Sequence, residues 1–272
     1  MKVALCLYGQ VGGQVGQDGE GGWLRPQNGH KYLDNILLKH YETDVFAHSW
    51  EITRGNGNKV SDEIISVYTP KKHEIVEQIQ FKPNMADYGL LSGDDLKGKP
   101  GYDLLLPSRG SYEAIFEEYK DEAFKTHSRW HSVKRAIELK KEFEDQNDFK
   151  YDFVLLSRYD MYYSTTLELN KLSPEHFYAG PRTKADSVGR PIKEIDENDA
   201  HVALEDLWFL AGSENMDKFG QLYDNIHDYC IRPPIASREH VEAVIGKDKL
   251  KYLWWWGIDY GLLRNNASLI VG

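Results

Sequence analysis

After its first lysine, the segment Lys2–Tyr8 (KVALCLY) is an unbroken apolar run that stops at Gly9. A strand with one wet face alternates apolar and polar residues. A continuous run marks a strand covered on both faces, as in a parallel sheet with helices on each side. Asp44–Trp50 (DVFAHSW) and Tyr151–Leu156 (YDFVLL) also read as strands. Between the first two lies His30–Tyr41, which sets Leu33, Ile36, Leu37 and Tyr41 on one helical face. Strand, loop, helix and strand in that order predict a right-handed crossover and parallel pairing.

The rest of the chain continues the alternation. Glu63–Thr69 reads as a strand, and Pro70 opens a helix to about Gln80. Residues 82–110, rich in Gly, Pro, Asp and Lys, read as an irregular insertion. Ser111 to about Gln146 is the longest helical stretch, with a break expected at Thr126–Ser128. Short strands follow at Phe177–Gly180 and Leu204–Ala211, separated by a polar loop over 182–200. Ser213 is expected to cap a helix reaching about His227, and residues 238–250 form one more. The expectation is one α/β domain over residues 1–272: a Rossmann-like, mixed but mostly parallel central sheet flanked by helices.

Composition narrows the function. A net charge of -10 and a pI of about 5.5 argue against a chain that coats nucleic acid, which shows a basic footprint. The cysteines Cys6 and Cys230 read as neither a disulfide framework nor a zinc site, so the expected compartment is a reducing cytosol. No run has the length of a membrane span. The glycine-rich residues 9–29 fail as a dinucleotide fingerprint, because the helix they should open directly comes too late. Gly-Lys-Ser/Thr, Gly-x-Ser-x-Gly and His-Glu-x-x-His are absent.

Ligands of open α/β sheets bind beyond the carboxyl ends of the strands. Three polar clusters stand at such ends: Tyr8-Gly9-Gln10, His48-Ser49-Trp50 and Ser157-Arg158-Tyr159-Asp160. A parallel sheet brings them to one crevice. Arg158 and Asp160 directly follow an apolar strand, where charge needs a partner. They read either as groups for a diphosphate or sugar, with Arg158 offering a fork to phosphate oxygens, or as a structural pair.

Several segments together resemble bacterial and viral glycosyltransferases of the type A fold, in particular polysaccharide-synthesis transferases. They are Leu7-Tyr8-Gly9-Gln10, Asp44–Trp50, Phe149–Val154 leading into Arg158-Tyr159-Asp160, and Glu205–Gly212 followed by Ser213–Met216. The resemblance implies a hexosyl-type transfer from a nucleotide sugar, UDP- or GDP-linked, to a glycan or other hydroxyl acceptor. Residues 1–165 would bind the donor and 166–272 shape the acceptor side, in the cytoplasm, the host's if the chain is viral. Such transferases carry Asp-x-Asp at the end of a central strand, holding a divalent metal against the departing diphosphate. Here Arg158 replaces the first Asp, which leaves two readings: the guanidinium itself is the cation at that site, or Asp160 alone holds Mn²⁺ or Mg²⁺ with water ligands.

The remaining expected site residues follow from that reading. Asp206, with Glu205 beside it, is the candidate to take the acceptor proton in an inverting transfer or to anchor the sugar, while a retaining transfer would need no such base; Asp160 is the catalytic candidate at the donor diphosphate. Tyr8, Gly9, Gln10, Arg158, Ser132 and Arg135 are candidates for the nucleotide and diphosphate. Trp255, Trp256 and Asp259 are candidates for the acceptor, since aromatic faces pack on sugar rings. Alternative readings are a non-catalytic carbohydrate- or nucleotide-binding protein on a degenerate transferase fold, a transferase acting on nucleic-acid bases, and a nucleotide-dependent phosphoryl or sulfuryl transferase. The last lacks its phosphate-cradling loop.

Overall fold

The computed structural model describes residues 1–11, 24–54, 56–82, 85–103, 106–119, 122–185, 191–195 and 203–265. Strands β1 (Lys2–Tyr8), β2 (Glu42–Trp50), β3 (Lys72–Val76), β4 (Phe153–Arg158), β5 (Met161–Tyr163) and β6 (Phe177–Pro181) are followed by β7 (Thr183–Ala185), β8 (Pro191–Ile195), β9 (Leu204–Ala211), β10 (Leu250–Tyr252) and β11 (Tyr260–Leu262). The helices are α1 (Pro26–Leu33), α2 (Val60–Tyr68), the single turns α3 (Pro100–Asp103) and α4 (Leu106–Arg109), α5 (Tyr112–Tyr119), α6 (Glu122–Asn147), α7 (Ser213–Gly220) and α8 (Pro233–Val244).

Seven strands form one sheet in the order β10-β6-β9-β4-β1-β2-β3. β9 runs antiparallel to both its neighbours, and the other adjacent pairs are parallel. The fold is thus α/β with a mixed, mostly parallel sheet between helices. Strands from residues 1–165 and from 166–272 share this sheet. Two antiparallel pairs stand outside it, β5 with β11 and β7 with β8. Among the described residues no helix is long and apolar enough to cross a membrane.

β1 explains the opening run. Val3, Leu5 and Leu7 enter the core beneath α1 and α2, while Ala4, Cys6 and Tyr8 enter the core beneath α6 and α7. Both faces are dry, so apolar residues occupy every position. α6 buries Val133, Ala136, Ile137 and Lys140 against the second face. The buried Lys140 ammonium donates to Glu144 (2.9 Å), Ser213 (2.6 Å) and Asp217 (2.6 Å), pinning α6 to α7 at the amino edge of the sheet.

The order of elements between residues 60 and 80 is the reverse of the sequence expectation. Residues 60–68 are helix and 72–76 are strand. Val60, Ile64 and Tyr68, spaced by four, are the buried face of α2, so a β-branched run has been turned into helix by tertiary packing. α2 ends at Thr69 in the left-handed region (φ 42°), and Pro70 follows the helix rather than starting one. β3 is a half-exposed edge strand with little apolar signature.

Other boundaries shift less. Thr126–Ser128 lies inside α6 without a break, and β7 and β8 occupy part of the expected 182–200 loop. Gly212, not Ser213, is the N-cap of α7. The first loop ends at α1, at Pro26, and its residues 12–23 lie outside the described residues.

α1 sits against the end of β4 at Gly29. A Cβ there would lie 1.9 Å from the carbonyl oxygen of Tyr159. Gly29→Ala is therefore expected to displace α1 and to cost about 1–3 kcal/mol. Urea unfolding checks this: an unchanged midpoint would show that the contact is slack.

Candidate functional site at the sheet switch point

From β1 the sheet grows one way through β2 and β3 and the other way through β4. The carboxyl ends of β1 and β4 therefore flank the point where the strand order reverses, the usual ligand crevice of such sheets. Tyr8 and Arg158 are register partners across it. His48 approaches from β2: its Nδ1 lies 2.7 Å from Ser132 Oγ on α6, which also accepts the Gly9 amide at 2.8 Å. The three strand-end clusters read from the sequence thus meet in one place.

The chemistry of the crevice is set by Asp160. It is 2% exposed, just past β4. Arg158 forks onto it, Nε to Oδ1 at 2.8 Å and Nη2 to Oδ2 at 2.9 Å. Arg264 reaches the same carboxylate through Nε, 2.8 Å from Oδ2, and through Nη2. Burial alone would raise the Asp160 carboxyl, but the charges and hydrogen bonds of Arg158 and Arg264 outweigh it and hold it below the usual carboxylate range.

Arg264 arrives by topology. β11 pairs with β5 so that Leu262 faces Met161, and the Leu263 amide donates to the Asp160 carbonyl at 2.9 Å. The chain two residues beyond β11 must then lie beside Asp160. A third guanidinium, Arg129 of α6, pairs with Asp206 on β9. Burial and the neighbouring Arg158 and Arg264 charges pull the Arg129 guanidinium down to about 10, so it stays protonated at neutral pH. Among the described residues the cluster sets three guanidiniums against the two carboxylates Asp160 and Asp206, a surplus of one positive charge. The arginine side chains keep 24%, 16% and 29% exposure for Arg129, Arg158 and Arg264, so each is partly accessible to solvent.

Several expected site residues do other work. Tyr8 is buried, its hydroxyl donating to the backbone carbonyls of Asp206 (2.9 Å) and Leu207 (3.2 Å), so its ring cannot stack on a base. The Gly9 amide is engaged by Ser132, and buried Ser132 orients this strand end rather than touching a ligand. Gln10 is half-buried beside it. Arg135 is bound to Glu74 and Glu138, toward β3. The helix before a parallel strand runs against that strand, so its earlier residues stand over the carboxyl edge. That places Arg129 at the crevice and Arg135 two turns too far along.

At the tail, Trp254 is buried against Trp208 and Tyr163, while Trp255 and Trp256 are half-exposed. Both Asp259 oxygens are engaged locally, by the Trp255 amide (2.9 Å) and the Thr165 hydroxyl (2.6 Å). Asp259, 6% exposed, therefore closes the tryptophan loop.

The metal expectation does not fit these residues. A divalent cation of the expected kind needs several oxygen ligands. Asp160 is one carboxylate with both oxygens on guanidiniums, and two adjacent positive charges repel a cation. No group of three His, Cys, Asp or Glu side chains suited to a metal occurs among the described residues.

His48 has a measurable consequence. Burial, with the His131 and Arg135 charges adding to it, pulls its imidazole down to about 3. The folded value lies below the unfolded value of about 6.5. Its contribution to stability is therefore complete above pH ~6.5 and is lost as pH falls toward 3. The loss reaches at most roughly 4–5 kcal/mol over that window. Urea midpoints measured from about pH 7 to pH 4 should fall less steeply in His48→Gln. Parallel slopes would mean that His48 does not govern the acid limb.

No protein-family model matches the chain, and no curated protein matches it in sequence. Fold and crevice together define an α/β protein with a surplus of guanidinium charge at the carboxyl edge of its sheet.

Proposed function

We propose that the protein is a glycosyltransferase that takes its sugar from a nucleotide-sugar donor, UDP- or GDP-linked, and passes it to a hydroxyl acceptor. The observation that carries this reading is the surplus of guanidinium charge at the β1/β4 switch point. An anionic ligand is the natural occupant of such a crevice, and guanidinium forks match phosphate oxygens. In an inverting transfer the acceptor oxygen bonds to the anomeric carbon and gives its proton to a carboxylate. The bond from that carbon to the donor phosphate oxygen breaks, and its electron pair leaves with the diphosphate. Asp206, which pairs with Arg129, is the carboxylate proposed for the proton. The half-exposed Trp255 and Trp256 are proposed to face the acceptor sugar.

A second reading, a binding protein without turnover, is favoured by the engagement of Asp160 and Asp206 with arginines. Thermal shift with nucleoside diphosphates and nucleotide sugars tests the donor site common to both readings. Saturation at about a hundredfold over the dissociation constant stabilises by about 2.7 kcal/mol. One nucleotide should raise the melting temperature of the wild type and not of Arg158→Ala. No shift with any nucleotide would remove the donor site and the transferase reading with it.

A further inference from the structure

We infer that Arg129, Arg158 and Arg264 together hold the donor diphosphate without a divalent metal, and that Asp160 is the positioning residue that sets two of these guanidiniums. The inference rests on the proposed donor site and says how that site handles charge.

The three arginines come from separate parts of the chain, α6, the end of β4 and the segment after β11. Packing fixes all three against one crevice. Asp160 receives both nitrogens of the Arg158 fork and two nitrogens of Arg264. A guanidinium carries five N–H donors. More than half of those on Arg158 and Arg264 are therefore left for a ligand, and among the described residues these two side chains show no further bond. The same geometry that engages both oxygens of Asp160 removes it as a metal ligand. What an Asp-x-Asp metal would supply, positive charge against the departing diphosphate, is already present as fixed guanidinium charge. Charge fixed in advance need not reorganise as negative charge develops.

Titration calorimetry on the full chain, with UDP, GDP and inorganic pyrophosphate as probes, tests this in EDTA and in Mn²⁺. At least one probe should bind with affinities that agree within about twofold in the two conditions. In EDTA, Arg264→Ala and Arg129→Ala should each weaken binding by at least tenfold (about 1.4 kcal/mol). Arg264→Lys keeps the charge but not the fork, and should fall between the wild type and Arg264→Ala. Asp160→Asn should lose affinity that Asp160→Glu restores, a rescue that a purely structural role would not produce. Should a variant fail to fold, the wild-type comparison of EDTA with Mn²⁺ still decides. Binding that needs Mn²⁺, or that ignores the arginine substitutions, overturns this inference and leaves the transferase reading standing. No binding of any probe in either condition overturns the donor site itself.

Discussion

Asp160→Ala is expected to lower the stability of the ligand-free protein by about 3–5 kcal/mol, because removing one partner of a buried ion pair leaves the other uncompensated. Here two guanidiniums are left facing each other, Arg158 and Arg264, both set by the one carboxylate. For a chain of this size the melting temperature should fall by roughly 10 °C. The tail should loosen as well, although the Leu263 amide still binds the Asp160 backbone. Urea and thermal unfolding of the variant beside the wild type check this. A variant as stable as the wild type would mean that the arginines simply turn to solvent.

Lys140→Met is expected to cost a similar about 3–5 kcal/mol by the same physics at the opposite edge of the sheet. Lys140 and Glu144 are fully buried, and Glu144 also accepts from the Ser213 hydroxyl (2.6 Å) and the Tyr151 amide (2.8 Å). Without the ammonium, Glu144 keeps its charge with the half-exposed Lys150 as its remaining cation. Adding Glu144→Gln should restore part of the stability, since the two residues act as one unit. Nucleotide binding should be unchanged per folded molecule, because this network lies away from the crevice. A double variant less stable than Lys140→Met alone would show that Glu144 is held by its other partners.

How much of this was legible in the chain depended on what each residue faces. β1 and β4 could be read because both of their faces are buried. α2 was misread because Ile64, Ile65 and Val67 favour strands, while the face that matters is Val60, Ile64 and Tyr68. β3 was missed because an edge strand needs little apolar surface. The crevice itself was legible, since strand ends of a parallel sheet must converge. Its composition was half legible. Arg158 and Asp160 are only two residues apart in sequence, but Arg264 lies 104 residues from Asp160 and is delivered by the β5–β11 pairing. Arg129 could have been found by asking which end of α6 overhangs the carboxyl edge. Tyr8 misled because a polar tip at a strand end can face inward and bind backbone.

The most direct test of the central claim is turnover. The full chain is incubated with UDP- and GDP-sugars, with and without simple hydroxyl acceptors, and release of nucleoside diphosphate is followed. One donor should release its diphosphate slowly alone and faster with an acceptor, and Arg158→Ala should release none above background. Absence of release from every donor, or equal release by Arg158→Ala, would contradict the assignment of the crevice as the donor site of a transferase.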